Sequence, residues 1–161
     1  MGLFSFLKNA GSKVLTKKAA AEIKSPEITK MEEEVFRKQK MFLLKSVVDN
    51  TGIKVENLEL DLNDDSVTVY GQVKTMADKE RLVLSLGNVG GIASVDDRIG
   101  VDKEEAAAEF YTVKKGDSLS KIAKRYYGDP MKYKQLFEAN QPLLKDPNKI
   151  FPGQQIRIPK L

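Results

Sequence analysis

Residues 86–92, which read Leu-Gly-Asn-Val-Gly-Gly-Ile, combine the features that a large monovalent cation needs around it. Potassium is large and weakly hydrated, and selective sites replace its water shell with neutral backbone carbonyls. Irregular backbone at a helix end leaves carbonyls without an intrahelical partner, and the helix dipole makes that end negative. Residues 7–12, around Gly11, are a second run of candidate carbonyl donors. The alternative interpretation of the loop is a glycine-rich helix end that holds no ion.

Paired carboxylates are the other groups that could carry chemistry. Asp64 and Asp65 fall in a predicted hairpin turn, where aspartate is common because its side chain bonds the local backbone. Asp96 and Asp97 fall on a predicted strand, where neighbouring side chains point to opposite faces. Neither pair has the spacing of a calcium-binding loop. We therefore expect these four carboxylates to be solvated surface groups rather than a catalytic pair or a divalent-metal site.

Composition removes several classes of function. The chain has no histidine and no cysteine, which excludes Ser-His-Asp hydrolysis, His-based zinc sites and disulfides. No nucleophile lies beside a base in any recognisable pattern, so the sequence predicts a protein that is not an enzyme. The apolar run at residues 3–7 is too short for a secretion signal, and no stretch approaches the roughly 20 apolar residues of a membrane span. We expect a cytoplasmic monomer.

The helices and strands that would position the loop at residues 86–92 can be predicted from the periodicity of apolar residues. Residues 1–30 predict an amphipathic helix, over residues 3–24, and a basic segment. We expect the aromatic end of this helix to pack onto the following domain rather than onto a membrane surface, because the apolar stripe is short. That stripe consists of Leu3, Phe4, Leu7, Ala10, Val14 and Leu15. Residues 31–101 then predict the order helix, strand, strand, helix, strand, which gives an α/β sandwich with both helices on one sheet face. These five elements are expected at residues 31–50, 55–62, 66–73, 77–86 and 92–101.

Two short motifs in this region carry a family resemblance. The run Val-Tyr-Gly-Gln-Val at residues 69–73 lies on the second strand, and Gly-Gly-Ile-Ala-Ser-Val-Asp-Asp at residues 90–97 enters the third. With the order of elements, they make residues 31–101 similar to a BON domain. The acidic, alanine-rich residues 102–109 are expected to be a linker.

The last part of the chain predicts a second small domain. A strand at Phe-Tyr-Thr-Val is followed by the turn Lys-Gly-Asp-Ser, a helix capped by Asp117 or Ser118, a second helix and the returning strand Ile-Arg-Ile. This order resembles a LysM domain over residues 110–161. The predicted fold class is therefore α+β, with two small domains.

The LysM resemblance implies a groove for N-acetylglucosamine polymers between the loops that flank the two strands. Loop amides would bond the N-acetyl groups, and apolar side chains would cover the sugar faces. The same residues also serve as turn and core of the fold, which is the alternative interpretation. The groove residues implied are Gly116, Asp117, Ser118, Leu119, Leu143, Leu144, Ile150 and Phe151.

Nearly the whole chain resembles the small cytoplasmic BON–LysM potassium-binding family of bacteria. The resemblance rests on Met-Gly-Leu-Phe at residues 1–4, Asn-Ala-Gly at 9–11, the run at 87–97 and the LysM segment. It implies a K⁺ sensor or buffer in which the LysM domain supports the ion-bound state. This chain departs from the family pattern in the more basic residues 17–30 and in Val89-Gly90, where Ile-Ser is expected. The backbone carbonyls implied as K⁺ ligands belong to Leu7, Ala10, Ser12, Gly87, Val89 and Ile92.

Charge distribution and the LysM resemblance leave other functions open. Residues 31–109 carry ten basic and seventeen acidic side chains, whereas residues 110–161 carry eleven and four. Opposite charge favours contact between the two domains, although ordinary solvated faces would give the same counts. A peptidoglycan-binding envelope adaptor is the rival function, and it would need export. We expect no nucleic-acid partner, because the basic end lacks a base-reading motif.

Overall fold

The computed structural model describes residues 2–6, 26–103 and 108–160, with side chains from residue 30 onward in the second range. Within these ranges the fold is α+β, as predicted. It has an N-terminal unit (residues 2–6 and 26–103) and a C-terminal unit (residues 108–160), each with its own hydrophobic core. The elements are β1 Gly2–Ser5, α1 Pro26–Thr51, β2 Glu56–Asn63, β3 Ser66–Thr75, α2 Met76–Gly87, β4 Ser94–Lys103, β5 Glu109–Thr112, α3 Leu119–Tyr127, a 3-10 turn Pro130–Lys132, α4 Tyr133–Ala139 and β6 Gln155–Ile158.

The N-terminal unit is built on a four-stranded sheet of order β1-β4-β3-β2. Strands β2 and β3 form the predicted antiparallel hairpin, and Asp64 takes the left-handed conformation in its turn (φ 53°). Strand β4 lies parallel to β3, because helix α2 carries the chain back across the sheet. Strand β1 pairs antiparallel with β4 and places Gly2 opposite Asp97.

Both long helices pack on one face of this sheet, as predicted. Helix α2 begins where the Thr75 hydroxyl accepts the Asp78 amide, and α1 is followed by Gly52 with the positive φ that a helix end favours. The face of α1 that is buried carries Lys40, Leu44 and Val48. Three other apolar side chains of this helix, Met31, Val35 and Phe42, are exposed.

Two predictions about segment ends are wrong. Leu3 and Phe4 were expected in an amphipathic helix, but they lie in strand β1, because their backbone groups pair with β4. The rest of that predicted helix, residues 7–24, lies outside the described residues. The expected packing of the aromatic end onto the next domain is confirmed, since Phe6 is buried in its core. The expected linker is shorter than residues 102–109, because β4 extends to Lys103 and β5 begins at Glu109.

The C-terminal unit has the predicted order of strand, helix, helix, strand. The Ser118 hydroxyl caps α3 by accepting the Lys121 amide, and Gly128 ends that helix in the left-handed conformation. Strands β5 and β6 pair antiparallel, with Tyr111 opposite Ile156. The boundaries of residues 110–161 as an independent domain remain a prediction.

The two units share buried contacts. Glu80 of α2 is almost fully buried, pairs with the Arg157 guanidinium of β6, and accepts the Ala108 amide at 2.7 Å. The Phe4 and Phe110 rings meet edge to face with their centroids 5.3 Å apart. Helix α2 thus lies between its own sheet and the C-terminal unit.

Candidate functional site

The loop after α2 is held by its own hydrogen bonds. Asn88 ends the helix by directing both its backbone amide and its Nδ2 at the Leu84 carbonyl, at 3.0 and 2.8 Å. The Val89 amide donates to Leu86 at 3.2 Å, and the Ile92 amide donates to Val89 at 3.1 Å. The last turn of α2 contains no basic side chain, so nothing within that turn neutralises the negative end of the dipole.

Lys40 lies beside this loop and was missed by the sequence analysis. It is only 4% exposed, and its ammonium donates to the carbonyls of Gly91 at 2.9 Å and Asp64 at 2.7 Å. It therefore ties the loop to the β2–β3 turn. Helical spacing is the sequence signal that indicates its burial. Lys40 lies one turn before Leu44 and two turns before Val48, on the buried face of α1.

The N-terminal strand brings the chain directly to the same loop. The Phe6 amide donates to the Ala93 carbonyl at 2.7 Å, and the Phe6 ring lies against Gly87. A Cβ at Gly87 would overlap with the outer atoms of that ring. Of the six carbonyl donors implied by the family resemblance, Gly87 is the last residue of α2, and Val89 and Ile92 lie in the loop that follows it. Leu7, Ala10 and Ser12 lie outside the described residues.

The loop also contacts the C-terminal unit. Asn88 and Gln155 exchange two hydrogen bonds, from the Gln155 amide to Asn88 Oδ1 at 3.0 Å and from Asn88 Nδ2 to the Gln155 carbonyl at 3.1 Å. The Gln155 side chain donates to the Ser5 carbonyl at 2.6 Å. A cavity of about 360 Å³ lies beside the loop and is lined by Asn88 and Val89, by Val47 of α1 and by Leu143 of the C-terminal unit.

The second acidic pair does not behave as the sequence predicted. Asp97 is 2% exposed and forms an ion pair with Lys79 at 2.9 Å, and its other oxygen accepts the Ile99 amide at 3.0 Å. It is buried because β4 turns alternate side chains inward and α2 supplies the matching ammonium. Asp96 pairs with Arg98 on the outer face. Within the described ranges, no group of three or more carboxylates could hold a metal ion.

The predicted glycan groove is assembled only in part. Asp117, Ser118, Leu119 and Ile150 line one cavity of about 380 Å³, while Gly116 and Phe151 lie exposed. Two predicted members do not line this cavity. Leu144 is buried in the core of the C-terminal unit, and Leu143 packs against the N-terminal core.

Asp117 in this groove is a structural carboxylate. Burial by itself raises its pKa, but hydrogen bonds from the Tyr111 hydroxyl at 2.7 Å and the Lys114 amide at 2.8 Å lower the pKa below its ordinary value. Burial raises the pKa of Tyr111, and the Arg125 guanidinium, 2.7 Å from the Tyr111 hydroxyl, lowers it by a smaller amount. These hydrogen bonds connect strand β5 to the turn that precedes α3.

The sequence is similar to a known domain family over its C-terminal unit and to a known protein over almost its whole length. The LysM domain model matches residues 111–159. The potassium binding protein Kbp of Escherichia coli O6:H1 (strain CFT073) is 38% identical over 99% of this chain and 99% of its own length. The chain belongs to the Kbp family.

Other relatives of this Kbp family member match over part of their length. An uncharacterized protein of Deinococcus radiodurans is 52% identical over 36% of the chain and 22% of its own length. The uncharacterized protein YqbP of Bacillus subtilis is 35% identical over 35% of the chain and 30% of its own length. In the part of the chain that the structure describes, no helix is long and apolar enough to cross a membrane.

Proposed function

We propose that this protein binds K⁺ with backbone carbonyls, contributed by Leu7, Ala10 and Ser12 of the N-terminal segment and by Gly87, Val89 and Ile92 of the loop after α2. The observation that carries the proposal is the position of Phe6. Its amide donates to the Ala93 carbonyl and its ring covers Gly87, so the residue that immediately precedes Leu7 lies beside the loop. The Kbp relative, whose printed name is that of a potassium binding protein, supports the same function.

The loop carbonyls have capacity for an ion. Each carbonyl oxygen has two lone pairs, so Val89 retains one after accepting the Ile92 amide. No group within the described residues donates to the Gly87 carbonyl, which stands at the negative end of the α2 dipole. Neutral carbonyls in such numbers suit a weakly hydrated monovalent cation better than a divalent ion.

Lys40 gives the loop a fixed shape. Because its ammonium holds the Gly91 carbonyl and the Asp64 carbonyl together, little of the loop backbone has to reorganise when an ion arrives. An ion that ties residues 7–12 to this preformed loop then stabilises the folded, compact state by mass action. In this proposal the protein acts in the cytoplasm as a K⁺ sensor or buffer, and the C-terminal unit supports the ion-bound state.

Thermal unfolding tests the proposal. The metal-free protein is melted in KCl, NaCl and choline chloride at equal ionic strength, so that screening of the charged units is the same in all three. We expect the highest Tm in KCl, rising with the logarithm of the KCl concentration once that concentration exceeds the K⁺ dissociation constant. Equal Tm values in the three salts would refute K⁺ binding.

Peptidoglycan binding is the second candidate function, favoured by the groove lined by Asp117, Leu119 and Ile150. Retention of the full chain on purified peptidoglycan, lost on competition with soluble N-acetylglucosamine oligomers, would establish it. The variant Ser120→Arg places a long charged side chain at the groove without removing the Ser118 cap. If wild type and this variant are retained equally, the groove is not responsible.

A further inference from the structure

Gln155 of β6, in the C-terminal unit, contacts both the loop after α2 and strand β1. Its backbone amide and carbonyl form the two bonds with the Asn88 side chain, at 3.0 and 3.1 Å. Its side-chain Nε2 donates to the Ser5 carbonyl at 2.6 Å. One residue therefore connects the loop after α2, the N-terminal strand and β6.

The bonds to Asn88 fall between two proposed ion ligands of the loop, and the bond to Ser5 holds the strand whose next residue, Phe6, covers Gly87. Asn88 lies between Gly87 and Val89, and the orientation of its peptide groups depends on how its side chain is held. That side chain is shared between the Leu84 carbonyl and the Gln155 backbone. Ser5 precedes Phe6, and its carbonyl is fixed by Gln155 on the side away from the strand partner Ser94.

We propose, resting on the K⁺ function proposed above, that Gln155 is a positioning residue through which the C-terminal unit raises the affinity of the ion site. Its side chain fixes Ser5, next to the Phe6 ring that covers Gly87, and its backbone fixes Asn88, so docking of the C-terminal unit pre-orients the carbonyls of the loop after α2. Because coupling free energies are reciprocal, a bound ion tightens the docking of the C-terminal unit by the same factor.

The test removes the Gln155 side-chain bond alone and compares it with another contact between the units. Gln155→Met keeps the length of the side chain and the backbone bonds to Asn88 but cannot donate to Ser5. The matched control is Arg81→Met, which removes the bond from Arg81 Nε to the Ala139 carbonyl at 3.3 Å, away from the loop. Calorimetric titration of each full-length variant with KCl in choline chloride gives the K⁺ dissociation constant, and melting in choline chloride alone gives ion-free stability.

We expect Gln155→Met to raise the K⁺ dissociation constant roughly threefold to tenfold, the range for loss of one hydrogen bond. Arg81→Met should leave it within about twofold, with both variants melting at similar temperatures without ion. Equal dissociation constants for wild type and Gln155→Met would overturn the coupling and leave the K⁺ function standing. A similar rise in both variants would assign the effect to docking in general and would also overturn it.

Two further outcomes are decisive. If wild type binds no K⁺, the proposed function fails and this coupling fails with it. If Gln155→Met is too unstable to titrate, Gln155→Thr replaces it, because threonine favours the strand conformation and its hydroxyl, carried on Cβ, does not extend as far as Nε2 of glutamine. A normal dissociation constant in Gln155→Thr would count against the proposal.

Discussion

The ring of Phe6 occupies the space where a side chain at Gly87 would begin. Gly87 is the last residue of α2, and a Cβ there would overlap with Cζ, Cε1 and Cε2 of the ring. The absence of a side chain at residue 87 therefore lets strand β1 reach the loop. Contact between the N-terminal segment and the loop depends on this pair.

Gly87→Ala should expose this dependence. Alanine is ordinarily better than glycine in a helix by about 0.5–1 kcal/mol, but here the added methyl must displace the ring, at a cost of about 1–3 kcal/mol. We expect a lower free energy of unfolding by urea and a weaker effect of KCl on Tm.

The matched background for that substitution is Phe6→Val, because valine lacks the three ring atoms that overlap. In this background Gly87→Ala should be neutral or stabilising. If Gly87→Ala lowers the free energy of unfolding equally in both backgrounds, the contact between Phe6 and Gly87 is not the cause.

The neighbouring carboxylates of β4 should respond very differently to loss of their partners. Lys79→Met leaves the buried Asp97 carboxylate without its ammonium and should cost about 3–5 kcal/mol of unfolding free energy. Arg98→Met removes the partner of the more exposed Asp96 and should cost about 0–1 kcal/mol. Urea unfolding of the two variants measures the two losses of unfolding free energy. Equal losses would show that the Asp97 carboxylate does not depend on Lys79 more than Asp96 depends on Arg98.

Acid should weaken the C-terminal unit through Asp117. Because the pKa of this carboxyl is lowered in the folded state, its stabilising contribution is present above the ordinary aspartate pKa of about 4 and is lost as the pH falls through the lower folded value. Asp117→Asn should be less stable at neutral pH and should lose less stability on acidification. Tm measured from neutral to acid pH checks this, with Glu138→Gln as the exposed control in the same unit. Parallel curves for wild type and Asp117→Asn would contradict it.

Much of the fold could be predicted from local pattern. Alternating residues gave the β2–β3 hairpin, and Gly52 and Gly128 marked helix ends because positive φ is accessible to glycine. The loop at Gly87 could be singled out because glycine clusters after a helix are visible in sequence.

The remaining features depend on contacts between distant residues. Strand β1 has the apolar spacing of a short helix, and its partner β4 is about ninety residues away in sequence. The burial of Lys40 and Asp97 follows from acceptors and partners on other elements, which composition does not reveal. The sequence places Leu144 in a loop, but it does not show that the Leu144 side chain points into the core of the C-terminal unit.

The most direct test of the central claim is a crystal of the full chain grown in KCl, with anomalous diffraction used to locate potassium. The account predicts one potassium peak beside Gly87, surrounded by the carbonyl oxygens of Gly87, Val89 and Ile92 on one side and Leu7, Ala10 and Ser12 on the other. A crystal with ordered residues 7–12 and no potassium peak at this loop would contradict it.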